Sequence, residues 1–333
     1  MESKKIFKAT SIIMVVSVLS RALGMIRDSM VGNIFGSTYY TDAYKAAVTI
    51  PETVFMLIGL GISTVFIPML SKIKYEKGKD ELFKFSNNII SILSIFSILI
   101  FIIGLFFTDN IVRFFASGFN GERLELASFL TKITLINLLF LAINYCYIAI
   151  LQVCEDFVIP SIIGIFFNAP IIIYLIFFKN VDIVGLTIAN VIGNFLRVVI
   201  QIPSLYKNGY KLGFKINLKD NRLKRMLILL GPVIIGAGAN SLNMIVDTNV
   251  ASVLSVGALS IVDYSQKIIT FANAAITTSI VSVMYPLMAN KLNANDKDGF
   301  IMYLSKTIVI IALLLVPVAA GFIILNKEIV TLL

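Results

Sequence analysis

The feature that most restricts this chain is a series of long stretches without charge. Ile89–Phe107, Ile133–Val153, Phe157–Phe178, Met226–Val246, Ile268–Asn290 and Thr307–Asn326 each approach the roughly 20 apolar residues that cross a bilayer as a helix. In hydrocarbon every backbone N–H and C=O must be satisfied internally, so such stretches form helices. The composition agrees. The chain is 58% hydrophobic and 14% charged, with mean hydropathy +0.92, against about half and about a quarter for a soluble domain. The expected fold is an all-α polytopic membrane protein with nine helices, near 8–34, 41–72, 85–107, 129–153, 158–178, 183–206, 225–253, 260–289 and 303–326.

Orientation follows from the basic residues of the loops. With the N-terminus in the cytoplasm, eighteen of the 28 Lys and Arg fall inside: Lys4 to Lys8, Lys72 to Lys84, Lys207 to Arg225, and Lys291 to Lys306. Arg113, Arg123, Lys179 and Lys327 fall outside. Ala9–Ser20 runs on through Arg21 and Arg27 with no small-residue cleavage site, so it reads as a first transmembrane helix rather than a signal peptide. The net charge of +9 is explained by this asymmetry. The basic loops are expected to meet anionic headgroups of the inner leaflet, not nucleic acid. Histidine is absent, which removes imidazole acid–base and metal chemistry. No phosphate loop, catalytic carboxylate pair or nucleophile elbow is present either, and no enzyme activity is expected.

A weak internal repeat pairs Asp28 with Asp247, Tyr44 with Tyr264 and Pro68 with Pro286, at offsets of 219, 220 and 218. Six helices separate the copies, so both face the same way. The expected organisation is a first lobe at 1–206, a basic cytoplasmic linker at 207–224 and a partial second lobe at 225–333, with the substrate site between lobes. Three helices follow residue 225 where an equal lobe needs six, so the chain reads as part of a longer protein.

Charge inside the spans marks the site. A charged side chain at the bilayer centre costs roughly 2.5–3.5 kcal/mol on insertion scales. Arg21, Arg27, Lys45 and Lys267 therefore need a hydrated cavity or acid partners. Arg21 and Asp28, seven residues apart, share a helix face. Asp42, Lys45 and Thr49 share another. One reading is a cationic cavity that holds a diphosphate, with arginine supplying paired hydrogen bonds. The other is structural pairing of Arg27 with Asp28 or Asp42 and of Lys45 with Asp42, or an outward-snorkelling Lys45. Glu52, after Pro51, is a candidate ion-coupling carboxylate. Asp247, near Asn240, Asn243, Thr248 and Asn249, suits a sodium ion, or pairs with Lys267. Arg197 reads as a snorkelling residue.

The segment Ser20-Arg21-Ala22-Leu23-Gly24-Met25-Ile26-Arg27-Asp28 resembles the S-R-x-L-G-x-x-R-D opening of MurJ/MviN-type lipid II flippases. Ile34-Phe35-Gly36, Thr41-Asp42-Ala43, Pro51, Phe66-Ile67-Pro68, Gly231-Pro232 and Tyr264 extend the likeness. The resemblance implies the multidrug/oligosaccharidyl-lipid/polysaccharide exporter superfamily, a two-lobed MATE-like bundle and alternating access. It implies that Arg21, Arg27, Asp42 and Lys267 engage substrate and that Asp247 contributes to sodium binding. The family's paired arginines after the second-helix proline are Phe55 and Met56 here, and its nearby glutamate is Leu60.

The function so implied is translocation of an undecaprenyl-diphosphate-linked glycan precursor, lipid II, across the bacterial plasma membrane for peptidoglycan synthesis. An ion gradient or the membrane potential would drive it, the latter worth about 2.3 kcal/mol per charge per 100 mV. Alternatives are a flippase for another lipid-linked polysaccharide unit, a cation-coupled multidrug exporter, for which acidic cavity residues are expected, and a scaffold that recruits cell-wall synthesis proteins.

Overall fold

In the computed structural model the described residues are 2–273, 276–277, 280–281, 284, 288, 291–292 and 296–328. Among them the regular structure is helical. The elements are α1 (Glu2–Phe35), α2 (Tyr39–Gly61), a π-helical turn (Ile62–Phe66), α3 (Ile67–Phe106), α4 (Thr108–Phe115), α5 (Gly121–Thr134), α6 (Asn137–Val153), α7 (Val158–Phe177), α8 (Ile183–Val199), α9 (Ile202–Lys207), α10 (Asn221–Val253), α11 (Ala258–Asn273) and α12 (Lys297–Ile324). Four helical runs are long and apolar enough to cross a membrane, or six if each of two bent pairs is one span. The chain is thus a multi-pass membrane protein.

The expected spans map onto these elements with informative differences. The helix expected to end at 72 and the next one, from 85, form one continuous run that breaks its helical geometry only at Gly78, φ +82°. The fourth expected span is the bent pair α5–α6, angled by 41°. α10 contains Pro232 and bends by 44° between Asn221–Gly236 and Ser241–Val253, a break that lies beyond the proline. α1 and α11 lie outside the span count. The expected eighth helix is described as α11 only to Asn273, and Pro286 of the repeat lies outside the described residues.

α2 is the central helix. Ala43, Ala46 and Ala47 are fully buried on it, and such small side chains let neighbouring backbones approach closely. It packs on α5, α6, α10 and α11, while α1 packs on α7, α7 on α8, and α3 on α6. The perimeter is apolar and exposed, as at Ile103, Ile173, Phe177, Leu313 and Val316, which is the surface a lipid-solvated bundle presents.

The segment between α9 and α10 is a strap. Residues 210–217 run without helix along α3. Asn87 donates to the Lys211 carbonyl at 3.0 Å, and Asn88 exchanges hydrogen bonds with both backbone groups of Asn217. The Ser91 hydroxyl accepts from the Lys215 N–H at 3.0 Å. Leu212, Phe214, Ile216 and Leu218 are left exposed, interleaved with Lys211, Lys215 and Lys219.

Candidate functional site

Arg27 and Asp28 are adjacent in the C-terminal third of α1. The Arg27 guanidinium donates to Asp28 from Nε at 3.2 Å and from one terminal nitrogen at 2.9 Å, and from the other to Asn168 Oδ1 at 2.9 Å. Asn168, on α7, is held in turn by the Gly164 carbonyl. Two further cations converge on Asp28. Lys45 of α2 lies 3.8 Å from it and Lys267 of α11 lies 3.0 Å from it. Both lysines also pair with Asp263, Lys267 at 2.9 Å and Lys45 more closely still. The Lys45 ammonium sits 4.5 Å from the centre of the Tyr264 ring. Three cations and two carboxylates from α1, α2 and α11 thus form one cluster with a positive excess.

Arg197 of α8 adds to that excess. Its guanidinium lies 3.7 Å from the centre of the Phe167 ring, and Arg27 lies 5.3 Å from the same ring. α7 and α8 meet closely enough that a Cβ on Gly193 would stand 2.5 Å from the Phe167 carbonyl, so only glycine allows this approach. Arg197 therefore packs into the bundle, and the outward-snorkelling reading is corrected. Below it runs a buried polar ladder: Asn137 donates to Asn190, Asn194 to Asn190, Arg197 to Asn194, and Gln201 to Asn144.

The other sequence-derived residues separate. Arg21 is exposed on α1, six residues and about 9 Å toward the N-terminal end of that helix from Arg27. Glu52 is exposed on α2 as a charge neighbour of Arg27 and Arg197, with no salt bridge among the described residues. Asp247 is exposed and accepts from Asn243 at 3.2 Å. Thr248 turns to the Met244 carbonyl, and Asn249 to Phe114 and Ser117. The side chain of Asn240 lies outside the described residues. Of the oxygen donors grouped around Asp247 by sequence, the described ones other than Asn243 point away. Lys267 pairs with Asp28 and Asp263, not with Asp247. Lys45 is buried, so it does not snorkel, and its partners are Asp28 and Asp263 rather than Asp42.

Asp42 is elsewhere altogether. It is 0% exposed and takes no part in the central cluster. Its carboxylate accepts from the Gly257 N–H at 2.7 Å, the Ser260 N–H at 2.9 Å, the Ser260 hydroxyl at 2.7 Å and Arg123 at 2.6 Å. It caps α11, where unsatisfied N–H groups and the helix dipole favour an anion. Gly257 has φ +89°, and a Cβ there would meet the Ser37 carbonyl at 2.4 Å. Around this point Ser117 bonds Asn249, the Gly118 N–H donates to the Ser252 hydroxyl, and Arg123 reaches the Ser252 carbonyl. The result is a latch that ties α2, α4 and α5 to α10 and α11 at the outer ends of the helices, as the sequence orients them.

Asp263, Arg123, Asn168 and Phe167 are absent from the sequence-derived site. Asp263 had a legible signal, since it precedes Lys267 by four residues in an otherwise apolar helix. The others carry none, because their partners lie on other helices.

The family described as lipid II flippase MurJ matches over residues 31–333. A probable lipid II flippase MurJ of Buchnera aphidicola subsp. Acyrthosiphon pisum is 30% identical over 85% of this chain and 56% of its own. One from Aquifex aeolicus is 28% identical over 98% and 64%. Among solved structures, a lipid II flippase MurJ in an inward closed conformation superposes with a TM-score of 0.80 at 25% identity, covering 95% of this chain and 66% of the other. An inward-facing MATE multidrug transporter superposes at 0.71 with 16% identity, over 95% and 74%, which speaks for the fold alone. The chain spans between about half and two thirds of the length of these flippase relatives. By its sequence and its MATE-like fold, it belongs to the lipid II flippase MurJ family of membrane transport proteins.

Proposed function

We propose that this chain carries the headgroup-binding half of a flippase that moves lipid II, an undecaprenyl-diphosphate-linked glycan precursor, across the bacterial plasma membrane by alternating access. The observation that carries the reading is the central cluster. Arg27, Lys45, Arg197 and Lys267 outnumber Asp28, Glu52 and Asp263 within the thickness of the membrane, and Lys267 remains 38% exposed. Isolated charges there would each cost roughly 2.5–3.5 kcal/mol. The acids offset most of that and leave a net positive chamber that a diphosphate completes. Arg21, exposed farther toward the inner side, extends the positive path.

In this reading the first lobe is 1–206, the linker 207–224 and the beginning of the second lobe 225–333, with the N-terminus in the cytoplasm. Lys267 and Asp263 bring the second lobe to a site built on the first. The Asp42 latch is the outer closure, and its release accompanies outward opening. Drive comes from an ion gradient or the membrane potential, with Glu52 and Asp247 as the coupling carboxylates and sodium as the candidate ion at Asp247. The cationic excess disfavours a cation exporter, whose substrate it would repel. Cell-wall synthesis proteins are candidate partners at the inner loops.

The test is replacement. Expression of the protein in a bacterium depleted of its own flippase should sustain outward movement of lipid II, read by the appearance of labelled lipid II at the outer leaflet. Correct membrane insertion with no such movement would overturn the substrate assignment.

A further inference from the structure

Arg197 is the cation of the central region that makes no salt bridge among the described residues, Glu52 being a charge neighbour without a direct contact. Its one side-chain acceptor among the described residues is the neutral Asn194 Oδ1, at 3.1 Å. Its Nε is shielded from solvent and bonds to nothing. The guanidinium lies over Phe167, 3.7 Å from the ring centre, and the Arg197 backbone carbonyl accepts from Gln201 at 2.7 Å. Phe167 carries Arg27 as well, at 5.3 Å, so two guanidinium groups share one aromatic ring. Arg27 has a carboxylate and an amide oxygen, whereas Arg197 has only the amide oxygen. Two cations held this way repel one another, and an anion reaching both relieves the repulsion and supplies the missing acceptor.

We propose that Arg197 and Arg27 form a two-armed anion subsite across Phe167, in which Arg197 takes one phosphate of a lipid diphosphate and Arg27 the other. The inference rests on the flippase reading above and adds the residue that distinguishes a diphosphate from a monophosphate. Each guanidinium matches one phosphate through parallel N–H donors. A monophosphate is served by the arm at Arg27, beside Lys267. A diphosphate has the second group that Arg197 needs.

The experiment uses the protein in nanodiscs of zwitterionic lipid, with a short polyprenyl diphosphate and the matching monophosphate as probes. In Arg197→Gln the diphosphate affinity should fall about tenfold, the scale of a lost charge-assisted hydrogen bond. The monophosphate affinity should stay within about twofold, which is under 0.5 kcal/mol. Arg27→Ala should weaken both probes. Arg197→Lys keeps the charge, loses the fork and should fall between wild type and Arg197→Gln; it decides the matter if the glutamine variant does not fold. Equal losses for both probes would indicate a structural role for Arg197, and no loss would indicate none. Either result overturns the subsite while leaving the flippase reading in place, provided that Arg27→Ala still weakens the diphosphate. A wild-type protein that binds neither probe overturns the flippase reading itself.

Discussion

Two of the clusters in which carboxylates meet cations from distant helices, those at Asp42 and at Asp28, are built on opposite principles. At Asp42 one carboxylate, fully buried, receives three donors from the α11 turn and one from Arg123. Each oxygen of the carboxylate accepts two donors and no charge is left over, with only the Arg123 Nε unbonded. At Asp28 the cations outnumber the acids, the groups come from three helices, and part of the surface is open. A saturated knot holds helices together. An unsaturated cluster keeps binding capacity in reserve. The comparison teaches that an acid in a membrane helix is to be judged by how completely its donors are accounted for, rather than by its depth or its motif.

The largest expected effect breaks the open cluster. Arg27→Ala removes the donors to Asp28 and Asn168 together and should reduce lipid II translocation at least about a hundredfold, roughly 3 kcal/mol of lost interaction. Membrane insertion and expression should be retained. Translocation near the wild-type rate would show that the cluster serves structure only. Breaking the closed one should instead act on stability. Asp42→Ala leaves Arg123 without its acid, and removing one partner of a buried pair typically costs about 3–5 kcal/mol. The thermal midpoint in detergent should fall, and an engineered cysteine near Ser117 should become more reactive to an impermeant thiol reagent added from outside. An unaltered midpoint and unaltered labelling would mean that the latch is not closed by Asp42.

Gly257→Ala sharpens the comparison without touching charge. A left-handed backbone costs a residue with a Cβ roughly 1–2 kcal/mol, and the Ser37 carbonyl blocks the space. A fall in thermal stability smaller than that of Asp42→Ala is expected, with the same direction of change in cysteine labelling. The smallest effect lies outside the membrane, where Asp220 caps α10 by accepting from the Arg222 N–H at 2.8 Å. The hydrogen bonds from the Arg222 side chain hold the Asp220 carboxyl below the usual carboxylate range. A carboxyl so depressed contributes stability that is present above its unfolded pKa of about 3.9 and is lost as pH falls through the lower folded value. Asp220→Ala should cost about 1 kcal/mol at neutral pH, the usual worth of such a cap. The difference from wild type should shrink in thermal melts taken below pH 4.

The spans were legible because their signal is local. About twenty residues without charge can form little else in a bilayer, and the charged residues in α1, α2 and α11 stood out against that background. Pairing was not legible. Sequence periodicity placed Asp42 and Lys45 on one face of α2, yet they serve different clusters. The N-terminus of α11 takes up Asp42, and Asp28 with Asp263 draws Lys45 toward the centre. The α11 partners in those choices, Gly257, Ser260 and Asp263, are more than two hundred positions away and leave no local pattern. Arg123 looked like an ordinary outer-loop cation for the same reason, and Arg197 like a residue reaching for headgroups until Phe167 and Gly193 were seen beside it.

The strap at residues 210–217 bears on how the halves can move. A slack tether would let α10 swing independently of the helices before it. This connection is stitched to α3 by Asn87, Asn88 and Ser91, so the N-terminal end of α10 is tied to α3 within a few residues. Those hydrogen bonds seat the approach to α10 against α3, so any displacement of one relative to the other must break them or carry both along.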